Sequence, residues 1–171
     1  MKYSRIIAIS ALSTALALIL LVFGSFVEVF DLSCLFMASL ALMLPLAKNY
    51  KLGGFLSYLA TTILGFLLTG FRLQVMIPFA MFFGLHPIVN YFQFRLNFNK
   101  YVAVAVKTVW FVLTLYVMYF FTNMFISVHP IVEQFIHYFL TIGGAIFFIV
   151  YDYLMVKFQI GINAIVKRLK L

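Results

Sequence analysis

Between Arg5 and Glu28 this chain carries no charged side chain, and that gap limits its possible folds more than any other feature. As a helix with a rise of about 1.5 Å per residue, residues 6–27 would extend roughly 33 Å, enough to cross a hydrocarbon core of about 30 Å. Lys2 and Arg5 stand before the gap, and Glu28 and Asp31 stand after it. Basic residues are retained on the cytoplasmic side, so the sequence predicts an internal N-terminus and an external connection at Glu28 and Asp31. The run is longer than the roughly 7–15 apolar residues of a signal-peptide core. Ala15-Leu16-Ala17 also lies inside it rather than behind it, so the segment reads as a helix of the mature chain.

The remaining sequence repeats this pattern. Its 171 residues are 66% hydrophobic and only 9% charged, where a soluble domain carries about 25% charged residues. No length is left for a soluble catalytic domain. The expected architecture is a single all-α integral membrane domain over residues 1–171, with six transmembrane helices. The spans are expected at about 6–27, 32–47, 52–71, 73–94, 101–128 and 131–156, with a basic amphipathic tail at 157–171. Pro78, Gly84 and Pro87 interrupt the fourth span. A proline there frees a backbone carbonyl, which a membrane tolerates only where neighbouring groups satisfy it.

Charge placement sets the expected topology. With the spans alternating, Lys2, Arg5, Lys48, Lys51, Arg95, Lys100, Lys157, Lys167, Arg168 and Lys170 fall on one side, and Arg72 falls on the other with Glu28, Asp31 and Glu133. Both termini are therefore expected in the cytoplasm of a multi-pass protein of a bacterial cell membrane. The net charge of +8 would then face anionic lipid of the inner leaflet, which attracts nearby basic residues by about 1 kcal/mol each. Membrane surface accounts for the charge without a nucleic-acid partner. Tyr50, Tyr91, Tyr101, Tyr151 and Tyr153 cluster towards the same boundary, as an interfacial belt does. In the tail, Ile162, Ile165, Val166 and Leu169 recur at helical spacing beside Lys167, Arg168 and Lys170. That pattern suits an interfacial helix; a frayed continuation of the last span is the alternative.

Catalytic and cofactor signatures do not occur: the sequence has no G-x-S-x-G, H-E-x-x-H, phosphate-binding loop or G-x-G-x-x-G. Neither enzyme activity nor a cofactor is expected. Cys34 is the single cysteine and reads as a small buried side chain. His129, Glu133 and His137 recur every four residues, the spacing of a metal-ligand face. Pro130 places His129 at a helix cap, however, so the set reads as polar residues at a helix mouth and no metal is assigned. His86 reads as a packing residue hydrogen-bonded to a neighbouring helix. Lys107 and Asp152 lie inside spans five and six and are candidates for an intramembrane ion pair, with snorkelling of Lys107 as the alternative.

A second polar set gathers at the expected outer connections: Glu28, Asp31, Arg72, Gln74, Asn123, His129, Glu133, Gln134 and His137, among Phe26, Phe30, Phe71, Phe121 and Phe125. Two readings stand. An apolar pocket with a few convergent polar groups is the usual form of a small-molecule site, while outer loops are polar in any membrane protein.

Six helices in about 170 residues, both ends inside and a first helix rich in small residues, resemble the substrate-binding S component of energy-coupling factor (ECF) transporters. Ala11 and Ala15 match that family's alanine-x-x-x-alanine motif, with Ser10 and Thr14 small beside them. The stretch PLAKNYKLGGFLSYLATTILGFLL is similar to the family's passage from the second helix to the third. The resemblance implies capture of a small organic molecule at the outer face. It also implies contact of Ser10, Ala11, Thr14 and Ala15 with a transmembrane coupling subunit, and uptake driven by partner ATPase subunits. The third helix departs from the family: where a polar residue such as aspartate is common, this chain has Tyr58, Thr61 and Thr62. The same fold resembles membrane proteins of cell-shape machinery, so a scaffold or assembly protein is the alternative. An intramembrane enzyme using Asp152, Lys107 or the His129, Glu133 and His137 set is a third reading.

Overall fold

A computed structural model describes residues 2–123 and 130–168, with residues 2, 28, 122, 123, 130–132 and 134 described by their backbone alone. The described residues form helices and turns without a strand. Helix α1 (Lys2–Phe26) ends in a single 3-10 turn at Glu28–Phe30, which folds the chain back into α2 (Asp31–Ala41). After a break at Leu42 the same traverse continues as α3 (Met43–Ala47). Asn49, at φ +60°, makes the tight turn into α4 (Lys51–Leu68); asparagine tolerates this left-handed conformation better than most residues.

Helix α4 runs parallel to α1. Ser57 Oγ donates to the Ser10 carbonyl at 3.0 Å near one end, and Arg72 Nη1 donates to the Ser25 carbonyl at the other. The next traverse is broken into α5 (Leu73–Pro78), a π-helical turn (Phe79–Phe83) and α6 (His86–Arg95). Helix α7 (Lys100–Asn123) returns, and α8 (Pro130–Tyr138), a second π turn (Phe139–Gly143) and α9 (Gly144–Arg168) complete the bundle. Lys48, Arg95 and Lys167 lie together at one end, and Arg72 lies at the other.

Among the described residues, five helical segments are long and apolar enough to cross a membrane: Tyr3–Phe26, Lys51–Leu68, Leu73–Arg95, Lys100–Phe121 and Phe135–Arg168. The second expected span, at about 32–47, falls in the segment Asp31–Ala47, which is apolar but shorter, and at about 1.5 Å per residue reaches only roughly 26 Å. Its largely buried position accounts for this. Ala38, Ser39 and Leu42 are fully buried and Met43 nearly so, so protein covers most of this segment and leaves a face at Leu32, Ser33 and Met37 exposed. For the residues after Val156 an interfacial amphipathic segment and a continuation of the last span were both open, and α9 runs unbroken to Arg168, there being no proline to stop it.

The core centres on Phe82, which packs edge-on against Trp110, Phe111 and Phe148 at ring distances of 5.0, 4.7 and 5.7 Å. The broken traverse brings it there, and polar side chains satisfy the carbonyls that the break releases. The Phe83 carbonyl faces the position of Pro87, which has no N–H, and Ser39 Oγ donates to it at 2.6 Å. In the π turn the Gly84 N–H bonds back to Phe79, leaving the Ala80 carbonyl for the Tyr58 hydroxyl at 2.8 Å.

Candidate functional site

The best-built polar feature lies inside the bundle. His86 and Asn90 stand one helical turn apart on α6, so both point towards the same neighbours. Lys107 enters from α7 and Asp152 from α9. The Lys107 ammonium lies 2.5 Å from Asp152 Oδ1 and donates to Asn90 Oδ1 at 2.8 Å. His86 Nε2 lies 2.9 Å from the same carboxylate oxygen. His86 and Asn90 are fully buried, and Lys107 and Asp152 are 2% and 5% exposed.

The protonation pattern follows from the partners. An ionised carboxylate can only accept, so His86 Nε2 donates to it. His86 Nδ1 then serves as a bare acceptor in the neutral ring, and it has no hydrogen-bond partner among the described residues. The opposite charges of Lys107 and Asp152 offset one another, and the neutral imidazole and Asn90 amide supply further hydrogen bonds. Such compensation is what a charge within an apolar bundle requires. Aromatic rings close the site: Phe82 and Tyr151 lie 5.2 and 4.9 Å from the His86 ring. Sequence reasoning reached Lys107 and Asp152 but placed neither His86 nor Asn90 beside them. The available signal was the pair of polar residues one turn apart on an otherwise buried helical face.

The opposite end looks different. Arg72 turns back onto α1, donating to the Ser25 carbonyl with its guanidinium 5.6 Å from the Phe26 ring centre. Asp31 is half-buried in the first turn of α2, and Gln74 is exposed at the start of α5. His137, exposed on α8, stacks on Tyr116 of α7 with ring centres 5.9 Å apart, and Tyr116 Oη lies 2.9 Å from Thr141 Oγ1. Glu133 is exposed on α8. Arg72 thus joins the end of α1, while His137 joins α7. His129 and the side chains of Glu28, Asn123 and Gln134 lie outside the described residues. Beside Tyr116, a cleft of about 590 Å³ opens along α7, lined by Met81, Trp110, Thr114, Phe120 and Phe121.

The first helix divides its small residues between two faces. Ser13 and Ala17 are fully buried, and Ser10 and Thr14 are half-buried, with the Ser10 carbonyl held by Ser57 of α4. Ala8, Ala11 and Ala15 are exposed on the outward face.

These features define a helical, multi-pass membrane protein with a compensated charge cluster in its interior. Comparison with protein-family models, with curated proteins and with solved structures finds no match to the chain.

Proposed function

We propose that this chain is the solute-binding subunit of an ATP-driven uptake system of the energy-coupling factor kind. It would lie in the cell membrane with both termini in the cytoplasm and bind a small organic molecule at the outer end. The observation that carries this reading is the cleft along α7, of about 590 Å³. That volume suits a small ligand, and its aromatic and aliphatic walls suit an apolar ring. Its lining is nearly all apolar, the Thr114 hydroxyl donating to the Trp110 carbonyl and Tyr116 Oη lying 2.9 Å from Thr141 Oγ1, and Tyr116 with the stacked His137 forms its polar margin. Arg72, Gln74, Asp31 and Glu133, together with Glu28, Asn123 and His129, remain proposed contributors at this end. The outward face of α1 supports the partner half of the proposal. Exposed Ala11 and Ala15 allow close helix approach, whereas Ser10 and Thr14 contribute mainly to packing within the chain.

Partner ATPase and coupling subunits would supply the energy, since the sequence has no phosphate-binding loop of its own. The scaffold reading has one observation in its favour: the aromatic cluster around Phe82 fills the centre of the bundle. The deciding experiment is native mass spectrometry of the gently extracted protein for a retained small molecule, followed by affinity measurements on Trp110→Ala, Tyr116→Phe and His137→Ala. Solute binding predicts a loss of roughly 5- to 150-fold where a ligand hydrogen bond is removed. Lys51→Ala and Lys157→Ala, at the basic end, should bind as the native chain does. A retained solute whose affinity none of the three cleft variants alters would leave the scaffold reading ahead.

A further inference from the structure

At the basic end, the α3–α4 turn, α6 and α9 leave a cavity of about 970 Å³ between them. Lys48, Arg95 and Lys167 line it, with the amides of Asn49, Gln159 and Asn163. Among the described residues, no carboxylate lines it. The sequence contains only four acidic residues. Glu28, Asp31 and Glu133 belong to other parts of the bundle, and Asp152 is already engaged by Lys107 and His86. The three cations of the cavity therefore have no side-chain carboxylate of their own to neutralise them.

The walls are organised by hydrogen bonds. Arg95 Nη1 donates to Tyr91 Oη at 2.9 Å, and Tyr91 Oη donates to Asn49 Oδ1 at 3.0 Å. Tyr91 is 8% exposed, so this chain of contacts fixes the guanidinium from a buried anchor. Gln159 is 7% exposed, and its Oε1 has no hydrogen-bond partner among the described residues. Phe94 and Ile160 add exposed apolar surface to the rim.

We infer that this cavity binds a phosphate ester that also carries hydroxyl groups, either the phosphoglycerol headgroup of an anionic lipid or a soluble polyol phosphate. Guanidinium and ammonium groups supply charge-assisted donors to the phosphate oxygens. The amides can both donate to and accept from hydroxyls, which lysine and arginine cannot. A choline headgroup would bring a cation among three cations and no hydroxyl for the amides. The cavity lies at the opposite end from the proposed solute cleft, so either assignment can fail without the other.

The test uses the full chain in nanodiscs of phosphatidylcholine doped with phosphatidylglycerol, with bound lipid counted by native mass spectrometry. A second arm titrates glycerol 3-phosphate into protein in phosphatidylcholine alone. The Lys48→Gln/Arg95→Gln double variant should weaken phosphatidylglycerol or glycerol phosphate retention about tenfold or more, the loss expected for charge-assisted contacts. The Lys51→Gln/Lys100→Gln control removes the same charge from the same end but away from the cavity, and it should change retention less than about threefold. Retention of the doped lipid with no binding of glycerol 3-phosphate in the second arm identifies a lipid site, and binding of glycerol 3-phosphate there identifies a soluble ligand. Equal weakening in both double variants, equal retention of phosphatidylcholine, or binding of neither phosphate ester overturns the assignment. If the cavity double variant fails to fold, Gln159→Leu provides the same comparison without altering charge.

Discussion

Replacing Asp152 by asparagine tests the buried cluster most directly. The native carboxylate receives Lys107 at 2.5 Å and His86 at 2.9 Å through one oxygen. In Asp152→Asn the Lys107 ammonium keeps Asn90 but loses its counter-charge while remaining 2% exposed. An uncompensated buried charge of this kind costs about 3–5 kcal/mol, a change of roughly two to three and a half decades in the unfolding equilibrium. Lys107→Met leaves Asp152 with only His86 and should cost a similar amount. The double variant Lys107→Met/Asp152→Leu removes both charges and leaves only neutral groups short of a partner, the His86 N–H without its acceptor and Asn90 Oδ1 without its donor. A neutral group left unpaired costs about 1–3 kcal/mol, less than an unpaired charge. Each single variant should therefore be less stable than the double, and adding His86→Phe to the double should recover part of the remaining loss. The readout is equilibrium unfolding in mixed micelles followed by tryptophan fluorescence. Trp110 is the only tryptophan and packs 5.0 Å from the Phe82 ring, so it reports on the core. If the single losses simply add in the double variant, the two side chains do not interact and the cluster holds nothing together.

Three further outcomes follow from the packing and the charge pattern. Ala11→Leu and Ala15→Leu should leave thermal stability within about 0.5 kcal/mol, because both positions are exposed. They should nevertheless abolish co-purification of a partner subunit, and an undiminished yield of partner would end the proposed role of that face. Gly24→Ala should destabilise by about 1–3 kcal/mol, since its new methyl would sit 2.7 Å from Cys34 Cβ. Gly161→Ala meets nothing within 4 Å and should gain up to about 1 kcal/mol by helix propensity, a contrast that thermal melts of the two variants check directly. Cysteines placed at Arg72 and Glu133 should react with an impermeant thiol reagent in intact cells, while cysteines at Lys48 and Lys100 should not. Labelling at Lys48 from outside would reverse the proposed orientation.

The sequence by itself determined the class. A charge-free run such as residues 6–27 can satisfy its backbone in lipid only as a helix, and the repetition of such runs leaves an all-helical membrane protein as the outcome. Hydrophobicity and charge spacing are local properties, so they were legible along the chain. The gathering of basic residues at one end was legible for the same reason. Tertiary structure decided what depends on rotation and depth. It made Asp31–Ala47 a short, largely interior segment, a distinction that apolar composition cannot express, since lipid and a protein core select similar residues. It turned Ser10 towards α4 while leaving Ala11 outward, although they are adjacent in sequence, because successive helical residues point about 100° apart. It also joined His86 and Asn90 to Lys107 and Asp152 from three different helices. That meeting depends on how far each helix is turned about its own axis, which the packing of Phe82 against its neighbours fixes and no stretch of sequence alone can specify.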